Sequence, residues 1–218
     1  MAESLSQTVY HSIIRDITYG RFSPGERLTE TKLSNEYKAS RSTIRETLRR
    51  LEGEGLIKLE EYKGITVSKP SIGEVEEIYN LRVLLEGYSV RLASEKMTKA
   101  HLQQLSDLNE KLKEAVRLSD IPGWIHNNIL FHDFFLKICG NHNLGQILTN
   151  LKRKVYLYHY NIVSIPGHFK MYIKQHEAIL KACQRHDGKM AEENMRAHIE
   201  MVKTILLDYL NKMLNVSI

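Results

Sequence analysis

The sequence predicts a mainly α protein in two parts. The first is an N-terminal winged helix-turn-helix, α with a small β-hairpin. The second is a C-terminal antiparallel all-α helical bundle. Three observations carry this. Apolar residues recur at helical spacing through most of the 218 residues. Two short runs, 56–59 and 64–67, read instead as strands around the polar turn 60–63. Lys69-Pro70-Ser71 then breaks the pattern, because proline cannot continue a ladder and restricts its predecessor. The expected domains are therefore residues 1–70 and 71–218.

In order, residues 5–19 read as a helix with Val9, Ile13, Ile14 and Ile17 as its stripe, stopped by Gly20. Phe22-Ser23-Pro24-Gly25 is a turn. Leu33, Tyr37 and Ala39 close a short amphipathic helix and its turn. Ser40 follows as an N-cap, its hydroxyl able to accept from an orphan backbone N–H. The helix from Arg41 to about Glu52 places Ile44, Leu48 and Leu51 on one face, and Gly53 and Gly55 end it. Beyond Ser71 the spacing predicts six helices. The first carries Val75, Ile78, Leu81, Leu85, Tyr88 and Leu92 as its stripe. The second starts at Thr98, and the third runs from Asp120 to Gly140. The fourth extends from Leu144 to about Ile162, the fifth from His168 to His186, and the sixth from Asp187 nearly to the end. Short loops between such helices imply an antiparallel bundle.

Composition narrows the function classes. No apolar run reaches membrane-span length and residues 1–10 lack a signal peptide's apolar region, so a cytoplasmic protein is expected. Cys139 and Cys183 sit in apolar helical patterns and read as buried thiols. The net charge of +5 permits nucleic-acid binding without demanding it. Residues 1–70 carry 12 Lys+Arg against 10 Asp+Glu, so the first domain as a whole is not strongly basic. The asymmetry is local: residues 41–50 hold four arginines and one acid. A helix, a short turn, an arginine-faced helix and a hairpin form a winged helix-turn-helix pattern, whose second helix would enter a DNA major groove. Arg41, Ser42, Thr43, Arg45 and Arg49 are the candidate DNA contacts on that helix, with Lys63 and Gly64 at the wing tip.

Nine of the ten histidines follow residue 100, and three stand where a core leucine is expected. His132 lies in the stripe Ile125, Asn128, Leu136, Cys139, with Asn128 one turn before it. His176 lies among Ile173, Leu180 and Cys183, and His198 among Ala191, Met201 and Ile205. Each can be a core histidine satisfied by a hydrogen bond. Together, from three helices, they can also form a metal site in a bundle core, where imidazole suits Zn, Ni, Cu or Fe. Arg82 also points inward and needs a partner. That partner is a glutamate, such as Glu86, or the carboxylate of a bound effector.

Residues 20–30 (GRFSPGERLTE) and 33–57 (LSNEYKASRSTIRETLRRLEGEGLI) resemble the DNA-binding domain of GntR-type bacterial transcription regulators. The second domain resembles the FCD sensing domain of the FadR subgroup. The matching residues are Leu81-Arg82-x-x-Leu85-Glu86, Asn128-x-x-Phe131-His132, Gly140-Asn141-x-x-Leu144, Gln175-His176-x-x-Ile179 and Met195-x-x-His198, and the count of six helices is similar to the VanR branch. The resemblance implies a homodimeric regulator, more often a repressor, that binds double-stranded operator DNA and answers to a small anionic effector, commonly a carboxylate. It also implies a divalent metal, Zn or Ni foremost, held by an aspartate and three histidines. His132, His176 and His198 occupy the histidine positions, and Asn128 replaces the aspartate, which removes a negative charge from the ligand set. Two other classes compete. His132-Asp133 is an HD dipeptide, as in metal-dependent phosphohydrolases, but Asp133 is rotated about 100° to another face. Alternatively, the helical domain only dimerises.

Overall fold

The computed structural model describes residues 4–60, 64–158, 161, 163, 165 and 168–215. Two compact units emerge. One comprises Met1–Pro70 with Arg153–His159, and the other Ser71–Lys152 with Tyr160–Ile218.

In the first unit, α1 (Leu5–Thr18), α2 (Glu30–Tyr37) and α3 (Arg41–Gly53) pack around Val9, Ile13, Ile17, Leu33, Ile44, Leu48 and Leu51, all buried. The turn between α2 and α3 works through two local devices. Lys38 adopts the left-handed conformation and ends α2, and the Ser40 hydroxyl accepts from Thr43 N–H to begin α3. The hairpin strands β2 (Ile57–Glu60) and β3 (Gly64–Val67) pair antiparallel from Ile57 with Val67 to Glu60 with Gly64. A third strand, β1 (Arg27–Leu28), pairs with the other edge of β3, giving the order β1-β3-β2. Sequence reasoning placed no strand there, because two residues are too short to show an alternation.

The second unit contains six helices among the described residues: α4 (Ile72–Ser94), α5 (Lys99–Arg117), α6 (Ile121–Ile138), α7 (His142–Tyr156), α8 (His168–Gln184) and α9 (Gly188–Asn215). The last turn of α7 falls with the first unit. The expected caps are in place. Ser71 and Glu74 form a reciprocal capping box, Thr98 accepts from His101 N–H, and Asp120 accepts from Gly123 N–H. Helix α7 ends at Tyr156, short of the expected Ile162, with Tyr158 N–H closing a turn on the Val155 carbonyl.

Helix α4 corrects the sequence reading. Its buried face is Val75, Tyr79, Arg82, Glu86, Ser89, Val90 and Ala93, packed along α9. Of the expected stripe, Leu81 and Tyr88 are 47% and 44% exposed, and Leu84 beside them is 50% exposed. The helix carries two apolar faces, and the core takes the one interrupted by Arg82 and Glu86. Both cysteines are buried free thiols. Among the described residues no helix is long and apolar enough to cross a membrane.

Candidate functional site

On α3 the packing that buries Ile44, Thr47, Leu48 and Leu51 turns Arg41, Ser42, Arg45 and Arg49 outward. Arg41, Arg45 and Arg49 follow at i, i+4 and i+8 and so form one ridge. Arg50, the fourth arginine of the run, lies over the Tyr10 ring at 3.5 Å and donates to Gln7 Oε1 at 2.9 Å, which ties it to the fold. Arg45 Nε donates to Glu30 Oε1 at 2.8 Å and Oε2 at 3.0 Å. That hydrogen bond holds the Glu30 carboxyl below its ordinary value. The Ser42 hydroxyl lies 2.8 Å and the Thr43 hydroxyl 2.9 Å from the Ser40 hydroxyl, so both belong to the N-terminal cap as well as to the outward surface. Gly64 is exposed at φ +86, a conformation that favours glycine, at the base of the wing turn. Lys63 lies outside the described residues.

In the helical unit, His132 from α6, His176 from α8 and His198 from α9 converge, and one ring nitrogen of each lies within 4.8 Å of the others. All three are buried, at 4%, 0% and 2% exposure. The side-chain partners settle two tautomers. His198 Nδ1–H donates to Gln175 Oε1 at 2.8 Å, since an amide oxygen only accepts. His132 Nδ1–H donates to Glu86 Oε2 at 2.8 Å. In both rings Nε2 is left with its lone pair, the form that ligates a metal, with the far nitrogen held by an oxygen. His176 Nε2 lies 3.3 Å from His198 Nε2, and the His176 ring stacks on Phe131 at a centroid distance of 4.4 Å.

Electrostatics keep the cluster neutral. Burial lowers all three imidazoles. At His176 the two neighbouring rings push further in the same direction, and at His198 the His132 ring does so. At His132 the Glu86 carboxylate opposes burial without overcoming it. Glu86 is itself buried, which would raise its carboxyl. Arg82, His132 and Lys152 outweigh that penalty and hold it well below the ordinary carboxylate range. Arg82 Nε donates to Glu86 Oε1 at 2.8 Å, and its guanidinium sits over the Tyr79 ring at 4.5 Å. The glutamate partner foreseen for Arg82 is therefore present on its own helix.

Asn128 stands one turn before His132 and is 5% exposed, and its Oδ1 accepts no hydrogen bond from the described residues. A buried carbonyl oxygen without a donor, one helical turn from His132, whose Nε2 keeps its lone pair as that of His198 does, fits a cation as the missing partner. Asp133 is half-buried and pairs with Lys152, away from the histidines, so the HD dipeptide contributes only its histidine to the cluster. Sequence reasoning named the four candidate ligands and missed the orienting roles of Glu86 and Gln175. The spacing of Arg82 and Glu86 at i, i+4 hinted at one of them.

A winged helix with an arginine ridge, joined in one chain to a helical unit with a histidine core, defines a DNA-binding protein with a separate helical domain. The family described as "Bacterial regulatory proteins, gntR family" matches residues 5–67, and the FCD domain matches residues 77–201. The chain belongs to the GntR family of bacterial transcription regulators, in the group that carries an FCD domain. It is 27% identical over 192 residues to the uncharacterized HTH-type transcriptional regulator YdhC of Bacillus subtilis, covering 87% of this chain and 85% of that protein. It is 25% identical over 200 residues to the HTH-type transcriptional repressor RspR of Escherichia coli, covering 92% and 88%. It shares its fold with E. coli McbR/YncC at a TM-score of 0.87 and 22% identity, over 95% of this chain and 100% of that one.

Proposed function

We propose that this regulator is a repressor whose residues 1–70 bind a near-palindromic operator and whose residues 71–218 sense a small carboxylate through a bound divalent ion, Zn or Ni. The observation that carries this reading is the buried trio His132, His176 and His198, two of them locked with Nε2 inward, beside the unpartnered Asn128 oxygen. These four side chains would hold the ion. Its charge would attract an anionic effector into the remaining coordination positions, because three neutral imidazoles and an amide cancel none of it. Arg82, oriented by Glu86, would take the effector's carboxylate. Release from DNA follows only if the effector binds the DNA-competent and DNA-incompetent states unequally. The test uses operator fragments enriched from random duplex DNA by the protein itself. Arg82→Met is expected to bind them as the wild type does and to lose the response to effector. A normal response would remove Arg82 from the sensing role.

The pairing of Asp133 with Lys152 favours a sensing site over a phosphohydrolase, which needs that aspartate on its metal. A homodimer follows from operator symmetry, and the exposed ridge Leu81, Leu84 and Tyr88 on α4 is the face it would cover. Leu84→Glu places a charge in that ridge. Sedimentation is expected to show a shift toward monomer, and an unchanged dimer would move the interface elsewhere.

A further inference from the structure

The last turn of α7 and the residues just after it are built into the DNA-binding unit. Val155, Leu157 and Tyr158 are buried there. The Tyr158 hydroxyl donates to the Pro70 carbonyl at 3.2 Å. Lys154 Cε stands 3.4 Å from where a Cβ on Gly55 would be, so this segment runs beside the turn that ends α3. Gly55 takes φ +74 at that turn, and Glu54 before it is the C-cap of α3.

Among the described residues, donors from three helices converge on the Glu54 carboxylate. The Tyr10 hydroxyl, from α1, lies 2.6 Å from both oxygens. Arg50 Nε, from α3 itself, lies 3.4 Å from Oε1. Arg153 Nη1, from α7, donates to Oε2 at 2.8 Å. Burial, with the bond to Glu54, pushes the Tyr10 phenol up to about 12, so it remains a donor. The Arg153 and Glu54 side chains are 28% and 21% exposed. An isolated ion pair at the surface contributes little, but a partly shielded carboxylate shared by several donors is fixed in place. Tyr10 and Arg50 belong to residues 1–70. Arg153 is the member of this network that comes from beyond them.

We infer that Arg153 is a positioning residue for operator recognition. Through Glu54 it fixes the C-terminal end of α3, and the operator-binding unit is completed by residues 153–158 rather than closing at Pro70. The ridge of Arg41, Arg45 and Arg49 rides on the same helix, so a shift of that end carries the ridge out of register with the base edges. One residue before Arg153, the buried Lys152 pairs with Asp133 of α6 in the second unit. A displacement of α7 therefore reaches α3 through a single ion pair. This rests on the reading that α3 binds the operator through its arginine ridge. It adds a residue that acts on that ridge without touching DNA.

The experiment titrates the selected operator and a random duplex of the same length with full-length protein. The variants are Arg153→Ala, Arg153→Lys, Glu54→Gln and the double variant Glu54→Gln/Arg153→Ala, with Arg45→Ala as the reference for α3. Arg153→Ala is expected to bind the operator about ten-fold less tightly, because the DNA must then impose a placement that one charge-assisted hydrogen bond supplied. Its binding to random duplex, and the salt dependence of that binding, are expected to stay those of the wild type. Arg153→Lys keeps a charged donor and is expected to recover most of the loss. Glu54→Gln is expected to weaken operator binding as well. The double variant is expected to lose less than the two single losses combined, because both act through one contact. Wild-type operator binding by Arg153→Ala, with Arg45→Ala impaired, would overturn the proposal and leave α3 as the reading helix. Wild-type binding by both would remove the reading of α3 as well. An equal loss on random duplex with a flatter salt dependence would make Arg153 a phosphate contact and overturn its positioning role. Losses that simply add in the double variant would overturn the route through Glu54. Thermal melting separates placement from folding. If Arg153→Ala and Arg153→Lys both melt well below the wild type, the ion pair serves the fold and the proposal falls.

Discussion

Arg45→Ala is expected to weaken binding to the selected operator by about 1–3 kcal/mol, the range for one arginine that reads a base through two hydrogen bonds. The expectation rests on how α3 spends its four arginines. Arg50 is held by Tyr10 and Gln7, and Arg41, Arg45 and Arg49 line the outward ridge. Arg45 is the central one, 61% exposed along its side chain, with its Nε on the Glu30 carboxylate. That ion pair is at the surface, where such pairs contribute little, so exchanging Glu30 for a base edge costs little. The pair instead fixes the direction of a long side chain before DNA arrives. The loss in Arg45→Ala should fall on operator binding and spare binding to random duplex. Lys63→Ala should lower both and flatten the salt dependence, as a lost phosphate contact does. A gel-shift titration in which Arg45→Ala binds the operator like the wild type would remove α3 from base reading.

His176→Ala is expected to lower metal affinity by more than the roughly 10–100-fold typical of losing a group that only orients a ligand. Glu86→Gln supplies that internal standard. It keeps the shape beside His132 Nδ1, removes the charge, and is expected to fall within that range. His176 is fully buried against Phe131, so the alanine variant also leaves a cavity. Its stability with chelator present must therefore be measured beside its metal content, and His198→Ala serves as the second variant. Acid should act on the metal-free wild type in a fixed direction. The native imidazoles are depressed below the ordinary value of 6.5, so below that pH the unfolded chain takes up protons that the folded one refuses. The stability present above pH 6.5 is then lost as pH falls from 6.5 through the depressed native values. Glu86, held well below 4.5, adds a further loss of the same sign at lower pH. A denaturation series from pH 7.5 to about 4 checks this, and stability that rises on acidification would contradict the neutral cluster.

Much of this was legible in the sequence, for identifiable reasons. Helices announce themselves through periodicity and caps, and Ser40, Ser71, Thr98 and Asp120 all cap where their hydroxyls and carboxylate suggest. The histidine trio was legible because a polar side chain at a core position of a helix is conspicuous. Helix α4 was harder. It has apolar residues on two faces, and periodicity alone favours the richer one, Leu81 with Leu85 and Tyr88, over the face that packs against α9. Strand β1 exists only through its pairing with β3, and no local pattern encodes a two-residue partner. The same limit hid Glu86 and Gln175, whose roles depend on helices 40 or more and 20 or more residues away meeting them. Trp124 and Tyr172 look like ordinary core aromatics along the chain. Only the fold leaves their polar atoms without hydrogen-bond partners among the described residues.

The central claim is that Asn128, His132, His176 and His198 form one metal site without a charged ligand. Zinc or nickel titrated into chelator-treated protein, followed by calorimetry and elemental analysis, tests it most directly. The wild type should take up one ion per chain at His132, His176 and His198. Asn128→Asp should bind more tightly, because a carboxylate adds the charge compensation that the amide lacks. His176→Ala and His198→Ala should take up far less. Equal, negligible uptake by the wild type and both alanine variants would contradict the account, and would make the three histidines part of the core.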